Sequence, residues 1–152
     1  MKAIYINPFI KATLSLFTDY LGLTVENGEP YLNKSPKYLH DVSAIIGLAG
    51  ETRGAIVLSF ERKAAIKVAE KFVGKQFIGI TNELIDCIGE VVNIVAGNAK
   101  RDLEDFRIDI SLPGVVTGKK HQIAWPSDIP VITIPFSSSF GNFSLNVSLK
   151  EQ

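Results

Sequence analysis

The chain has 152 residues, a length at which one domain buries its own core without disulfides or metals. Its 16 Lys and Arg residues balance its 16 Asp and Glu residues, and 46% of its residues are hydrophobic, which argues against a disordered chain and against a nucleic-acid partner. The lone Cys87 and the two histidines, His40 and His121, form no cluster at metal-ligand spacing, and no signal or membrane-spanning segment is evident, so we expect a cytoplasmic protein without membrane contact.

Helix and strand patterns alternate along the whole chain. In chain order we predict a helix over 7–22 with Pro8 at its first position, a strand within 23–31, a hairpin of 42–49 and 55–60, helices over 61–73 and from 81 or 82 to about 105, and strands at 108–112, 115–118, 122–125, 131–136 and 143–149. In the last strand apolar residues alternate with Ser144, Asn146 and Ser148, which predicts one covered face and one wet face. The patterns predict one α+β domain over residues 1–152, with a mostly antiparallel sheet and about three helices.

The third predicted helix separates its residues into two faces. At about 100° per residue, one arc collects apolar side chains from Leu84 to Phe106 and is the predicted core face. The opposite arc contains Glu83, Asp86, Glu90, Asn93, Gly97, Arg101 and Glu104. Glu90 and Asn93 are one turn apart and point the same way.

Gly89 and Gly97 lie inside this helix, where each glycine costs about 0.5–1 kcal/mol relative to alanine. Two interpretations follow. Either the outer residues are ordinary solvated positions and the glycines relieve crowding against the sheet, or the helix presents a bare strip to a partner, from which one carboxylate and one carboxamide protrude. Periodicity does not decide between them.

At these residues the sequence resembles the CheC/CheX family of chemotaxis phosphatases, and within it the CheX branch. The family motif is Asp or Ser, three residues, Glu, two residues, Asn, and it stands here as residues 86–93, from Asp86 to Asn93. Further landmarks of the branch occur at 6–10, 41–43, 47–50, 54–58, 111–113 and 140–143. A proline of the CheC pattern is replaced by Val116, and no second Glu-x-x-Asn occurs, which fits a chain with one site.

The resemblance implies a CheC/CheX-like fold and hydrolysis of the aspartyl phosphate on CheY, a response regulator. It implies that Glu90 and Asn93 are catalytic: Asn93 orients the attacking water, and Glu90 pairs with a lysine of the receiver. It further implies a Mg²⁺ held by the receiver, no cofactor or metal of this chain's own, and a homodimer joined through edge strands. On the same face, Asp86, Gly89 and Gly97 are candidate partner contacts.

Two alternatives concern function. A non-catalytic receiver-binding module, like the flagellar-switch relatives of the same superfamily, would use the same surface without hydrolysis. A glycosidase-like acid pair of Asp86 and Glu90 is disfavoured, because neighbours on one exposed helix share a convex surface instead of flanking a cleft. We expect a structural hydrogen bond for Asn98, and ordinary surface or loop positions for His40 and His121.

Overall fold

The computed structural model describes residues 3–36 and 39–152, so residues 1–2 and 37–38 of the predicted domain lie outside the described part. The described residues form three helices: α1 (Ala3–Ser15), α2 (Arg62–Val73) and α3 (Asn82–Asp102). A π-helical turn, Leu16–Tyr20, continues α1. The strands are β1 (Glu26–Asn27), β2 (Tyr31–Leu32), β3 (Val42–Gly50), β4 (Thr52–Phe60), β5 (Ile108–Ile110), β6 (Gly114–Thr117), β7 (Ile132–Ser137) and β8 (Phe143–Glu151).

The strands form one antiparallel sheet in the order β1-β7-β8-β4-β3-β5, in which β2 also pairs with β7 and β6 also pairs with β3. The long strands β3, β4 and β8 are central, and the short ones are at the edges. The predicted hairpin is present as β3 and β4, and it pairs Val42 with Phe60 and Leu48 with Gly54. Both strands extend into the residues predicted as the turn. β3 continues to Gly50 because it pairs with β5, and β4 begins at Thr52 because it pairs with β8.

All three helices contribute to one core on one face of the sheet. Phe17, Phe60 and Phe143 are fully or almost fully buried there, and Phe17 stacks on Phe143 with 4.6 Å between ring centroids. α3 contacts α1, α2 and strand β3. The α+β architecture predicted from the sequence is therefore confirmed, and α3 is the helix in contact with both of the others.

The opposite face of the sheet is buried as well, so the prediction of a wet face on β8 is wrong. Ser144, Asn146 and Ser148 are all buried. Asn146 accepts a hydrogen bond from Thr133 Oγ1 at 2.7 Å and donates to Ser144 Oγ at 3.0 Å. Burial of Asn146 is tolerated because its hydrogen bonds are satisfied in this way, whereas the buried Ser148 hydroxyl has no hydrogen-bond partner among the described residues.

Two irregular segments, 33–36 and 118–131, lie against this polar face, and Asn33 Nδ2 in the first of them donates to Thr133 Oγ1 at 2.9 Å. Trp125 Nε1 donates to the Pro36 carbonyl at 3.0 Å and joins the two segments. His121 fastens the second segment to the sheet: Nδ1 donates to the Gly118 carbonyl at 2.7 Å, and Nε2 lies 2.8 Å from Ser43 Oγ. The prediction of an ordinary loop position for His121 missed this structural role.

Several predicted boundaries need correction. α1 begins at Ala3, so Pro8 lies inside the helix and not at its first position. Its missing N–H removes one hydrogen bond, to the Ile4 carbonyl in the first turn. The predicted strand at 23–31 is reduced to β1 and β2, and 122–125 forms no strand. The terminal strand β8 is internal, between β4 and β7, so it cannot be the edge that joins two copies.

Candidate functional site: the outer face of α3

Local sequence signals fix both ends of α3. Thr81 is the N-cap, and its side chain accepts a hydrogen bond from the Leu84 N–H at 3.2 Å. Glu83 lies in the first turn, and Lys100 and Arg101 lie in the last. These charges are favourable at the two ends of the helix dipole. The helix therefore begins where the sequence predicts and ends about three residues earlier than predicted.

Burial of the apolar face sets the rotation of α3. The fully buried side chains of this face repeat at helical spacing: Leu84, Ile88, Val91, Val92, Val95 and Ala99. Burying a side chain of the size of Leu or Ile contributes about 1.5–3 kcal/mol, so this face is held firmly against the core. The opposite face must then point away from the sheet.

We call Asp86, Glu90, Asn93 and Gly97 the outer strip. Asp86 and Glu90 are exposed, and Asn93 and Gly97 are partly exposed. In the described part of the chain, no hydrogen bond or ion pair engages the side chains of the strip. The polar contacts of α3 side chains involve other residues: Thr81, Glu83, Asn98, Arg101 and Asp102. The structure thus places the predicted acid and amide together on one open surface, one turn apart.

The two glycines of α3 have different surroundings. Gly89 is buried, and a β-carbon there would lie 3.5 Å from Val115 Cγ2 and 3.7 Å from two ring carbons of Pro113. Of the two interpretations for Gly89, its burial supports packing within the chain, and the partner contact at Gly89 stays a prediction. A β-carbon at Gly97 would meet no atom within 4 Å. Gly97 leaves bare backbone beside Asn93 and Glu90.

Asn98 faces away from the strip and accepts a hydrogen bond from Arg101 Nη2 on the next turn. This confirms the predicted structural role of Asn98. The described residues include no group of three or more His, Cys, Asp or Glu side chains placed to hold a metal ion.

Cys87 lies beside the strip but points inward, with 5% of its surface exposed. The pKa of its thiol is raised from 9.0 to about 11, mainly by burial and additionally by the nearby carboxylates of Glu83 and Glu90. The neutral thiol is the form that dominates at physiological pH. Cys87 therefore packs as a small apolar residue and supplies no nucleophile.

Sequence reasoning assigned no role to the loop between β5 and β6, although 111–113 is one of the family landmarks. A β-carbon at Gly89 would lie 3.7 Å from two ring carbons of Pro113, so this loop approaches α3 one turn before Asn93 and on the same side of the helix. The neighbouring Leu112 is 91% exposed. An exposed leucine thus lies in the loop that approaches α3.

Comparison with known proteins identifies the class. The family model described as chemotaxis phosphatase CheX matches residues 42–137. The CheY-P phosphatase CheX of Thermotoga maritima is 29% identical over 154 residues, which cover 99% of this chain and 98% of that protein. Fold and sequence together define a phosphatase, as predicted.

Solved structures agree over the whole length. A CheC-like superfamily protein from Shewanella sp. PV-4 superposes with a TM-score of 0.91 and 33% identity, covering 99% of both chains. The CheX–CheY–BeF3–Mg²⁺ complex from Borrelia burgdorferi contains a chain with a TM-score of 0.82 and 29% identity, covering 97% of this chain and 98% of that one. This chain belongs to the CheX family of chemotaxis phosphatases. Within the described ranges, no helix combines the length and apolar character that crossing a bilayer requires.

The state of Cys87 can be tested by its reactivity. At pH 8 we expect iodoacetamide to modify the folded chain at least about 100-fold more slowly than the chain unfolded in guanidinium, because a thiol pKa two units higher lowers the thiolate fraction by about that factor. Mass spectrometry follows the reaction at the one cysteine, with Cys87→Ser as the blank. Equal rates in the folded and unfolded chains would contradict the buried, neutral thiol.

Proposed function

We propose that this chain hydrolyses the aspartyl phosphate of a CheY-type receiver domain, with Asn93 orienting the attacking water and Glu90 pairing with a receiver lysine. The observation that carries the proposal is the outer strip: Asn93 and Glu90 stand side by side on α3, without side-chain partners in the described chain, in a member of a phosphatase family. The relative from Thermotoga maritima is named a CheY-P phosphatase, and the relative from Borrelia burgdorferi forms a complex with CheY.

The chemistry suits a carboxamide. An aspartyl phosphate is an acyl phosphate and already reactive, so its hydrolysis depends on a water placed in line with the scissile bond and on stabilisation of charge. The amide of Asn93 both donates and accepts hydrogen bonds, and it does so in one protonation state at ordinary pH. Its amide oxygen can hold a water molecule by accepting a hydrogen bond from one of that water's O–H groups while the water oxygen attacks phosphorus.

Glu90 supplies a charge instead of a reacting group. Its exposed carboxylate can accept a charge-assisted hydrogen bond from a lysine ammonium of the receiver, which fixes the register of the docked helix. Asp86, one turn earlier on the same strip, adds negative charge on the same side. The Mg²⁺ belongs to the receiver in this proposal, in line with the BeF3 and Mg²⁺ found with CheX and CheY from Borrelia burgdorferi.

The proposal includes a homodimer joined through edge strands. The available edges are β1 and β2 on one side of the sheet and β5 and β6 on the other. Cyclic pairing of identical edges would extend the sheet across two copies. Sedimentation equilibrium at micromolar concentration should then give twice the mass of the chain, and a single-chain mass would remove the dimer from the proposal.

Asn93→Ala tests the water-orienting role. We expect phosphate release from a phosphorylated receiver to fall by at least about 100-fold, the scale at which removal of one positioned hydrogen-bonding group acts. Receiver binding and the thermal unfolding temperature should change little, because the Asn93 side chain has no hydrogen bond within the described chain. Asn98→Ala is the matched control on the same helix and should retain activity; full activity of Asn93→Ala would end the assignment.

Glu90→Gln tests the docking role. The substitution keeps the shape and removes the charge, so we expect KM for the phosphorylated receiver to rise about tenfold, which corresponds to about 1.4 kcal/mol. The dependence of KM on salt should also weaken, because one attractive charge pair is lost. Glu104→Gln, beyond the end of α3, is the control. An unchanged KM at low salt would rule out the ion pair.

Gly97→Ala tests whether the strip needs bare backbone. The added methyl group meets open space and improves helix propensity, so the chain should become more stable by about 0.5–1 kcal/mol. The methyl group would nevertheless stand between the strip and a closely docked receiver, and KM should rise several-fold. Unfolding and phosphate-release measurements on one sample separate the two effects. A stabilised variant with unchanged KM would show that Gly97 is not at the interface.

Phosphate release also separates the enzyme from the non-catalytic alternative. A receiver-binding module would bind the phosphorylated receiver and leave its rate of dephosphorylation unchanged. The measurement therefore uses purified chain, a panel of receivers phosphorylated by a small-molecule donor, and each receiver alone as the baseline.

A further inference from the structure

The loop between β5 and β6 holds an apolar side chain in solvent on a rigid support. Ser111 is pinned to β3 from both sides: its N–H donates to the Gly47 carbonyl at 3.0 Å, and its Oγ accepts from the Gly47 N–H at 2.9 Å. The Ser111 hydroxyl donates to the Leu112 carbonyl at 2.9 Å. Pro113 follows and fixes its own backbone angle. Leu112 is 91% exposed between these two anchors.

The position of this loop gives the exposed leucine significance. Single exposed apolar residues are common and need no explanation by themselves. Here, however, a β-carbon at Gly89 of α3 would lie 3.7 Å from two ring carbons of Pro113, so Leu112 is one residue away from the point where the loop approaches the helix that carries Glu90 and Asn93. The loop and the outer strip form adjoining parts of one surface.

We propose that Leu112 is a second docking contact for the receiver, beside the outer strip, and that it helps to fix where Asn93 enters the receiver's active site. This inference rests on the proposed function. An exposed ion pair such as Glu90 with a lysine is weak and tolerates several geometries. An apolar anchor next to it adds affinity without charge, excludes bulk water from the contact, and restricts the orientation of the two domains.

A receiver fits this surface better than a second copy of the chain does. Pro113 has no N–H, so a strand from another copy cannot pair continuously along the edge formed by β5 and β6. The surface around Leu112 is instead continuous with the unpartnered side chains of the outer strip. A folded domain that covers Glu90 and Asn93 from outside would reach the loop as well.

Leu112→Ser is the test, and Ile78→Ser is its matched control. Ile78 is 99% exposed in the segment between α2 and α3. Phosphate release is measured over a range of concentrations of phosphorylated receiver, together with thermal unfolding and sedimentation. We expect Leu112→Ser to raise KM about tenfold, or about 1.4 kcal/mol, with kcat within about twofold of the starting chain. Ile78→Ser should leave both unchanged.

The outcomes separate this inference from the proposed function. Phosphate release by the unchanged chain, with the same KM in both variants, overturns the role of Leu112 alone. If sedimentation gives a different mass for the Leu112→Ser variant while its KM is unchanged, the loop contacts a second copy of the chain. That result also overturns the role of Leu112 in receiver docking. If the unchanged chain binds the receiver without releasing phosphate, the catalytic proposal has failed and KM cannot be measured. The affinity for a receiver carrying BeF3 and Mg²⁺ is then measured instead. A tenfold loss of that affinity in Leu112→Ser still supports the docking role of Leu112. A chain that neither binds nor dephosphorylates any receiver overturns both.

Discussion

Burial of the apolar face of α3 is the constraint on which the candidate site depends. Leu84, Ile88, Val91 and Val95 are fully buried and recur at intervals of four, three and four residues. A rotation of the helix by one residue would expose part of this row and press Glu90 or Asn93 toward the core, where an unpaired charge or amide is costly. The positions of the two side chains are therefore fixed by packing before any partner arrives, and docking need not order the helix.

The strip was predictable because it depends on local periodicity. Each fully buried residue of α3 falls on the predicted arc, and the same geometry places Asp86, Glu90, Asn93 and Gly97 outward. The chemical role of these residues, by contrast, could not be predicted from local periodicity. A carboxylate and an amide one turn apart occur on many solvated helices, and the link to phosphatases came from the resemblance, which the match to the family over residues 42–137 confirms.

The polar face of the sheet shows what periodicity cannot predict. Alternation in β8 indicates a wet face, yet Asn146 is fully buried because Thr133, Ser144 and the Val57 carbonyl satisfy its amide. Val57 lies 89 residues earlier in the chain. The residues that bury this face lie in irregular segments without a repeating pattern, and His121 is one of their anchors. Gly89 is a similar case, since its neighbours Val115 and Pro113 come from strands and loops that follow the helix.

The position of Glu90 and Asn93 on a convex helix limits what their side chains can do alone. Glu90 and Asn93 are separated by three residues, which is about 4.5 Å of helical rise, and their β-carbons are about 5–6 Å apart. Two short side chains at that spacing can reach neighbouring groups inside a single pocket of a partner, but they cannot enclose a substrate themselves. In the proposed function, the receiver therefore supplies the pocket, the metal and the phosphorylated carboxylate, and this chain contributes one amide, one charge and a surface that positions them. When the receiver supplies the pocket, this chain needs a rigid support for the amide more than a cleft of its own. An error of about 1 Å in placing the amide would misplace the water by the same distance. The buried row of α3 beneath the strip provides that support.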